Sequence, residues 1–470
     1  MSRVIRISSE SGPAFRRAFI ATVSILALLC AGVAALNFLH GPKLESAQVD
    51  LARVVAAPAQ QLRLFANQPV ASVNPKQVTI TPAAAFTVSV AADVIAVQFT
   101  EPLDYDTAYR VTVDGVTNTF DDQAATLDYG FRTGAPKLYY LDRGIAGADD
   151  RIVRAGLTGA GQEVVYSAPG IQEFVRVGEL LAVAVAGADE SGATVSAVRL
   201  VSLTDGGVET LNLPAGVTVG ELHATDPASV LGFTVTSAGD PLDGDYDRAL
   251  ITVDLAAGRT LVPVAGLDGE PLEVASWLFV PGTTDVVAQT RDDSVVRSAV
   301  DSSGATAIVP LGQFDTASGI STDGAVLTVT DRYGSIALDL ATQNQVRLPP
   351  SDFEGKPPYG GEAIARGDGS RVQHIAVFDE ATGRFASYLV LDDGAASRVL
   401  YRTVDDTGEI GRFALSPNNQ FVAAEIVPDV SARESDGNAL NPRATTVTTV
   451  IVDVESGALV RSVDGFALGW

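Results

Sequence analysis

The chain has 470 residues, more than one ordinary core serves, and at roughly 100–200 residues per domain it predicts two or three units. Apolar residues make up 46% and charged residues 19%, a globular balance, and the net charge of −25 excludes nucleic acid as a partner because phosphates need a basic face. The single Cys30 permits no intrachain disulfide, and three histidines leave little for metal chemistry.

Residues 1–17 read as a short cytoplasmic tail with Arg3, Arg6, Arg16 and Arg17 against one Glu10. Ala18 to Leu39 is 22 residues without a charge, long enough for a transmembrane helix across ~30 Å of hydrocarbon. The positive-inside rule places the N-terminus in the cytoplasm and the C-terminal domains outside, held at the cell membrane by a single-pass signal anchor. Val33-Ala34-Ala35 also offers small residues for signal-peptide cleavage, so whether the segment is cleaved stays open. Arg16-Arg17 bears a weak likeness to a twin-arginine signal, and every one of these readings exports the remainder. Residues 40–59 read as a linker.

Residues 60–135 alternate apolar and polar. Gln77–Thr81, Phe86–Val90 and Val94–Phe99 have the period and β-branching of strands. The stretch EPLDYDTAYRVTVDGV, then DYGFRTGAP, with LRLFANQPV upstream, resembles the bacterial Ig-like domain of the SbsA type. The matching positions are Leu103, Thr107, Tyr109, Val111, Val113, Phe131 and Thr133. The resemblance implies a β-sandwich that spaces or connects surface domains. Tyr109 and Phe131 read as core, not as a ligand site.

Residues 136–470 carry a repeat. An apolar strand, a polar loop, a second apolar strand and a short turn to a third recur seven times, and a more polar strand follows each phrase. First strands include LYYL (138–141), VLGFTV (230–235) and FVAAEIV (421–427). The second strands end at positions running from Leu157 to Val454 in six steps, a period of roughly 50 residues. Four short strands per repeat at this period predict a seven-bladed β-propeller. The turns PGTTD, STDG, GDGS and SPNN resemble the Ser-Pro-Asp-Gly turn of TolB-type propellers, a likeness that speaks for fold and not for activity. The C-terminal FALGW (466–470) is expected to complete the sheet begun at Lys137 and so to remove the free edges. The fold class is all-β throughout, apart from the N-terminal helix.

No G-x-S-x-G turn and no phosphate loop occur, and His223 and His374 are the only histidines beyond the membrane boundary. The expectation is therefore a non-enzyme: an extracytoplasmic binding or scaffold protein that presents its propeller to a protein partner in the bacterial envelope. An envelope hydrolase or lyase carried on a propeller is the alternative, and two carboxylates with aromatic groups meeting in a pocket would favour it. A sensory subunit of a membrane complex is a third reading. The loops after the first strands carry 17 acidic and 6 basic residues. They predict a negative rim for cations or a basic segment, with Asp142, Asp150, Asp189, Asp292, Asp331 and Asp379 as binding residues. The spacing of Asp243, Asp245 and Asp247 suits Ca²⁺, although Arg248 stands where a calcium-binding helix-loop-helix turn needs glycine.

Overall fold

The computed structural model describes residues 13–38, 41–119, 123–144, 147–159, 161–225, 229–237, 246–300, 308–380, 382–404 and 407–470. A helix, α1, spans Pro13–Phe38. Its side chains are described for residues 16–29, and Phe19, Ile20, Leu26, Leu28 and Leu29 among them are exposed. Among the described residues no helix is long and apolar enough to cross a membrane. The crossing expected over 18–39 is thus not found among the described residues.

The chain divides into two compact units. The first comprises residues up to Val54, Pro58–Leu103 and Thr107–Thr133. It holds a four-stranded antiparallel sheet in the order Leu44–Gln48, Gln61–Ala66, Val94–Phe99, Phe86–Ala91. A three-stranded sheet has the order Val78–Thr81, Ala108–Val116, Ala125–Arg132. The strand Leu44–Gln48 lies in the stretch read as linker. Strict alternation along Val94–Phe99 buries Ile95, Val97 and Phe99 completely, and the register sets Leu62 opposite Val97 and Leu64 opposite Ile95. Tyr109 is buried and stacks on Phe131 at 5.7 Å. The Thr133 hydroxyl accepts from the Thr107 amide (2.9 Å) and donates to its carbonyl (3.2 Å), tying the two strand ends together. These positions serve the core, as their sequence context indicates.

The second unit comprises Val55–Ala57, Asp104–Asp106 and Gly134–Trp470, and it is β-propeller-like. Among the described residues it holds seven four-stranded antiparallel sheets. In six of them the strands follow one another in chain order, beginning at Ile171–Val177, Val217–Thr225, Ser276–Phe279, Thr316–Ile320, Tyr359–Ala365 and Glu409–Leu415. The remaining sheet is discontinuous in the chain. Phe466–Gly469 occupies its first place, beside Lys137–Asp142, Asp150–Gly156 and Glu163–Ala168. Phe466 lies opposite Leu141 and Gly469 opposite Tyr139, the pairing expected from the C-terminal sequence.

Burial explains why middle strands read as unbroken apolar runs. In Val230–Ser237 and Phe421–Val427 six consecutive residues are buried, because both faces of each sheet pack on neighbours. Fourth strands such as Val208–Thr210 and Gln345–Arg347 are exposed throughout. With the discontinuous sheet counted first, Leu141, Phe466, Phe174 and Leu181 form one core between the first and second sheets. Further cores join the second to the third, the third to the fourth and the fourth to the fifth. The Ser335 hydroxyl meets the Gly361 carbonyl between the fifth and sixth (3.4 Å). The sixth packs on the seventh, and Tyr140, Val153, Ala155 and Val463 bring the seventh back onto the first.

The recurring turn after the first strand has a common geometry. Ser321 Oγ donates to Asp323 (2.5 Å) and accepts the Val326 amide (2.9 Å). Ser416 Oγ repeats this with Asn418 (2.8 Å) and Phe421 (2.9 Å). Gly324, Gly369 and Asn419 occupy the left-handed fourth position of the turn, with φ of 73°, 85° and 59°, and Gly282 is left-handed one place earlier in its turn, at 74°, which accounts for the residue types found there.

Candidate functional site

The first strands of the seven sheets line one cavity of about 1160 Å³ within the second unit. Glu173, Glu221, Trp277, Gly319, Glu362, Arg412 and Ala467 come to it from seven different strands. Asp331, at the end of a second strand, and Arg332, Asn441 and Arg443, from loops after second strands, also line it.

Six of these seven strands are irregular at corresponding places. Their registers shift between Ile171 and Glu173, Gly220 and His223, Ala317 and Gly319, Gly360 and Ala363, Ile410 and Phe413, and Phe466 and Gly469. A bulge frees a residue from the ladder and re-aims its side chain. Three bulges place a charged residue there: Glu221, Glu362 and Arg412. Glu221 adopts φ of 52°, left-handed and strained for a side chain of its kind, and Ala467 in the closing strand does likewise at 53°. Before Glu362 stands Gly361, where a Cβ would meet His374 Nδ1 at 3.0 Å. Any side chain there requires His374 to yield by a few tenths of an ångström.

Burial pushes the Glu362 carboxyl up to about 7, and the charge of Arg412 pulls against that rise. Glu221 is also raised by burial, against a 2.7 Å ion pair with Arg248, and its Oε2 is buried without a partner. Arg248 is fixed in turn by the carbonyls of Val274 (2.8 Å) and Ala275 (2.6 Å). Burial drives His223 down to about 4, helped by Arg412, so its ring is neutral at pH 7 and rests edge-on to Trp277 at 4.9 Å. Glu173 accepts the Leu222 amide (2.9 Å), and Arg443 pairs with Glu425 (3.1 Å). Arg412 is exposed to the cavity, and no described residue hydrogen-bonds to it or pairs with it. Its charge nevertheless reaches Glu221, His223, Glu362 and Arg443, on several sides of the cavity.

A carboxyl that holds its proton near neutrality suits general acid or base chemistry, and a guanidinium without a carboxylate is ready for an anion. The raised carboxyl also makes stability depend on pH. Between about 4.5 and about 7 the native state keeps a proton that the unfolded chain has lost, so Glu362 costs stability as pH rises through that window. At ~1.4 kcal/mol per unit the full cost above pH 7 is at most ~3 kcal/mol. E362Q is therefore expected to raise the melting temperature at pH 8 and to leave it unchanged at pH 4. An equal change at both would contradict a raised carboxyl.

The carboxylates expected at a binding rim are spread among local partners. Asp142 pairs with Arg151 at 2.5 Å. Asp150 is 4% exposed; it accepts the amides of Gly144 (2.9 Å) and Ile171 (2.8 Å) and meets Arg143 (3.2 Å). Asp189 and Asp292 cap tight turns through Ser191 and Ser294. Asp331 is held at about 2, chiefly by its hydrogen bond with Arg347 (2.5 Å), and alone of the six reaches the cavity. Asp379 ends the strand Arg371–Asp379, opposite Arg384. Asp243 and Asp245 lie outside the described residues, and Asp247 pairs with Arg291. Among the described residues no group of three or more His, Cys, Asp or Glu side chains could hold a metal ion.

The sequence matches no protein-family model and no curated protein. Solved structures with similar chain paths include an oligogalacturonate lyase in complex with manganese, at 11% identity and a TM-score of 0.43, covering 88% of this chain and 98% of that one. Prolyl oligopeptidase B from Galerina marginata aligns at 12% identity and a TM-score of 0.44, over 70% of this chain and 49% of its own. A Bacteroides fragilis protein provisionally described as a 6-phosphogluconolactonase aligns at 11% and 0.42, over 71% and 97%. At these values none carries an argument about this chain's chemistry, and the fold rests on its own sheets. The expectation of a non-enzyme is nevertheless corrected. The similar chains are named as a lyase, a peptidase and a lactonase.

Proposed function

We propose that this chain is a bacterial envelope enzyme, a hydrolase or lyase, that works in the central cavity of a seven-bladed, TolB-like propeller. One observation carries the reading: bulged strands of three different sheets bring Glu221, Glu362 and Arg412 into one cavity beside the aromatic side chains of Phe174, Trp277 and Phe413. Glu362 is the group to give or take a proton, and Arg412 the group to hold an anionic part of the substrate. The seven sheets serve as the blades, the first unit is an SbsA-type Ig-like spacer, and the uncharged run 18–39 anchors both outside the cell membrane. The exposed apolar side chains of α1 support that anchoring.

A second reading, a scaffold for an envelope protein, has an observation of its own. Tyr359, Phe378 and Phe385 form an exposed ring cluster on the sixth sheet, with centroids 5.4 Å and 5.2 Å apart. The two uses do not conflict.

The test is turnover by the purified full chain on a panel of glycosides, esters, lactones and acidic polysaccharides. Loss of a general acid or base lowers kcat by about 10²–10⁴, so E362Q is expected to fall by that factor. A wild type inactive across the panel, or activity that E362Q leaves intact, overturns the reading.

A further inference from the structure

We infer that the central cavity takes an acidic saccharide whose carboxylate is gripped by Arg412, an assignment that rests on reading this cavity as the active site. Ion pairs hold three of the seven charged residues that line it: Glu221 with Arg248, Arg443 with Glu425, Asp331 with Arg347. Arg332 lies over the Tyr333 ring at 4.6 Å. Arg412 remains as the guanidinium without a described partner, in a chain where acidic residues outnumber basic ones by 57 to 32. A chain so rich in carboxylates that leaves one cavity arginine unmatched reserves it for a carboxylate brought from outside. Its planar fork fits that group through two parallel hydrogen bonds. A doubly charged phosphate on Arg412 would also meet the carboxylates of Glu173 and Glu221 that line the cavity, so a singly charged carboxylate is the better match.

The walls point to the rest of the ligand. Ser318 Oγ donates to the Thr328 carbonyl (3.1 Å), and Ser335 Oγ to that of Gly361 (3.4 Å). One of the Thr316 and Thr330 hydroxyls donates to the other (2.6 Å), which commits the donor's proton. Hydroxyls whose protons are committed to the protein offer lone pairs to the cavity, and they call for a ligand rich in O–H donors. A cavity of about 1160 Å³ exceeds what one small anion fills.

Binding is measured by ligand-observed NMR on the full chain in detergent, with D-glucuronate, D-glucose and glucose 6-sulfate as probes. Glucuronate is expected to bind the wild type at least about tenfold more tightly than glucose, and R412Q to lose that advantage while R412K recovers part of it. E362Q is expected to keep glucuronate binding, because the amide mimics the protonated acid. No glucuronate binding, equal binding of glucose, tighter binding of glucose 6-sulfate, or R412Q binding like wild type each overturns the inference. If E362Q abolishes turnover while R412Q binds glucuronate normally, the active-site reading stands and this one falls. If R412Q alone loses glucuronate and E362Q turns over normally, the reverse holds.

Discussion

Deleting Phe466–Trp470 is expected to lower the thermal midpoint by many degrees and to destabilise the whole second unit. Phe466 is 1% exposed and lies between the guanidinium groups of Arg143 (5.1 Å) and Arg443 (5.2 Å). The Ala467 amide donates to Glu425 (3.0 Å), and Trp470 stacks on Phe421 at 6.1 Å. Removing the strand takes away all of these and bares the edge of Lys137–Asp142, where Leu138 and Leu141 are wholly buried. F466A, which keeps the strand, is expected to cost ~3–5 kcal/mol by the usual scale for a buried phenylalanine. The deletion must cost more. Calorimetry of the three chains checks the order, and a deletion variant that melts like wild type would show that the seam does not hold the ring.

The second large effect lies in the sixth sheet. Asp392 is wholly buried and accepts from Gly394 (2.7 Å), the Ser351 amide (2.8 Å) and hydroxyl (2.9 Å), Ser397 (3.1 Å) and Arg371 (2.9 Å). Burial alone would raise its carboxyl, but the amides of Ser351 and Gly394, the Ser351 hydroxyl and the charge of Arg371 together outweigh burial and hold it low. That stability is present above the usual range of the unfolded carboxyl and is lost as pH falls through the lower native value. D392A leaves Arg371, itself almost fully buried, with only Gln373 and the Pro349 carbonyl. Breaking a buried pair from one side costs ~3–5 kcal/mol, whereas removing both partners costs less. Urea melts are expected to show D392A losing that amount and the double variant D392A/R371M recovering part of it. Equal losses in the two would refute the stranded-charge account.

The sequence disclosed the strands with two buried faces and hid the strands that build the site. Val230–Ser237 and Phe421–Val427 announce themselves because six residues in a row must be apolar. The first strands are bulged, so their side chains do not alternate, and glycines interrupt them at Gly220, Gly361 and Gly411. Period-two reasoning passes over such segments. A signal was present: Gly-Glu at 220–221 and 361–362 and Gly-Arg at 411–412 fall near multiples of the repeat. The acidic loops misdirected attention for a different reason. Sequence reports that Asp150 is acidic, not that two amides and Arg143 already occupy it. Nor does sequence report that Glu362 is buried, which is what raises its carboxyl.

The discontinuous sheet also sets the order of assembly. Phe466 meets Leu141 across 325 residues of chain, whereas the widest of the other pairings in this unit, Phe421 with Asp453, spans 32. For a flexible chain the entropy of bringing ends together grows with the logarithm of the loop, so the seam costs about 2 kcal/mol more to close than that pairing. Six sheets can collapse locally while the seventh waits for partners at opposite ends of the unit. The seam therefore forms last and opens first, and the lifetime of the folded ring is set at the five residues that join it.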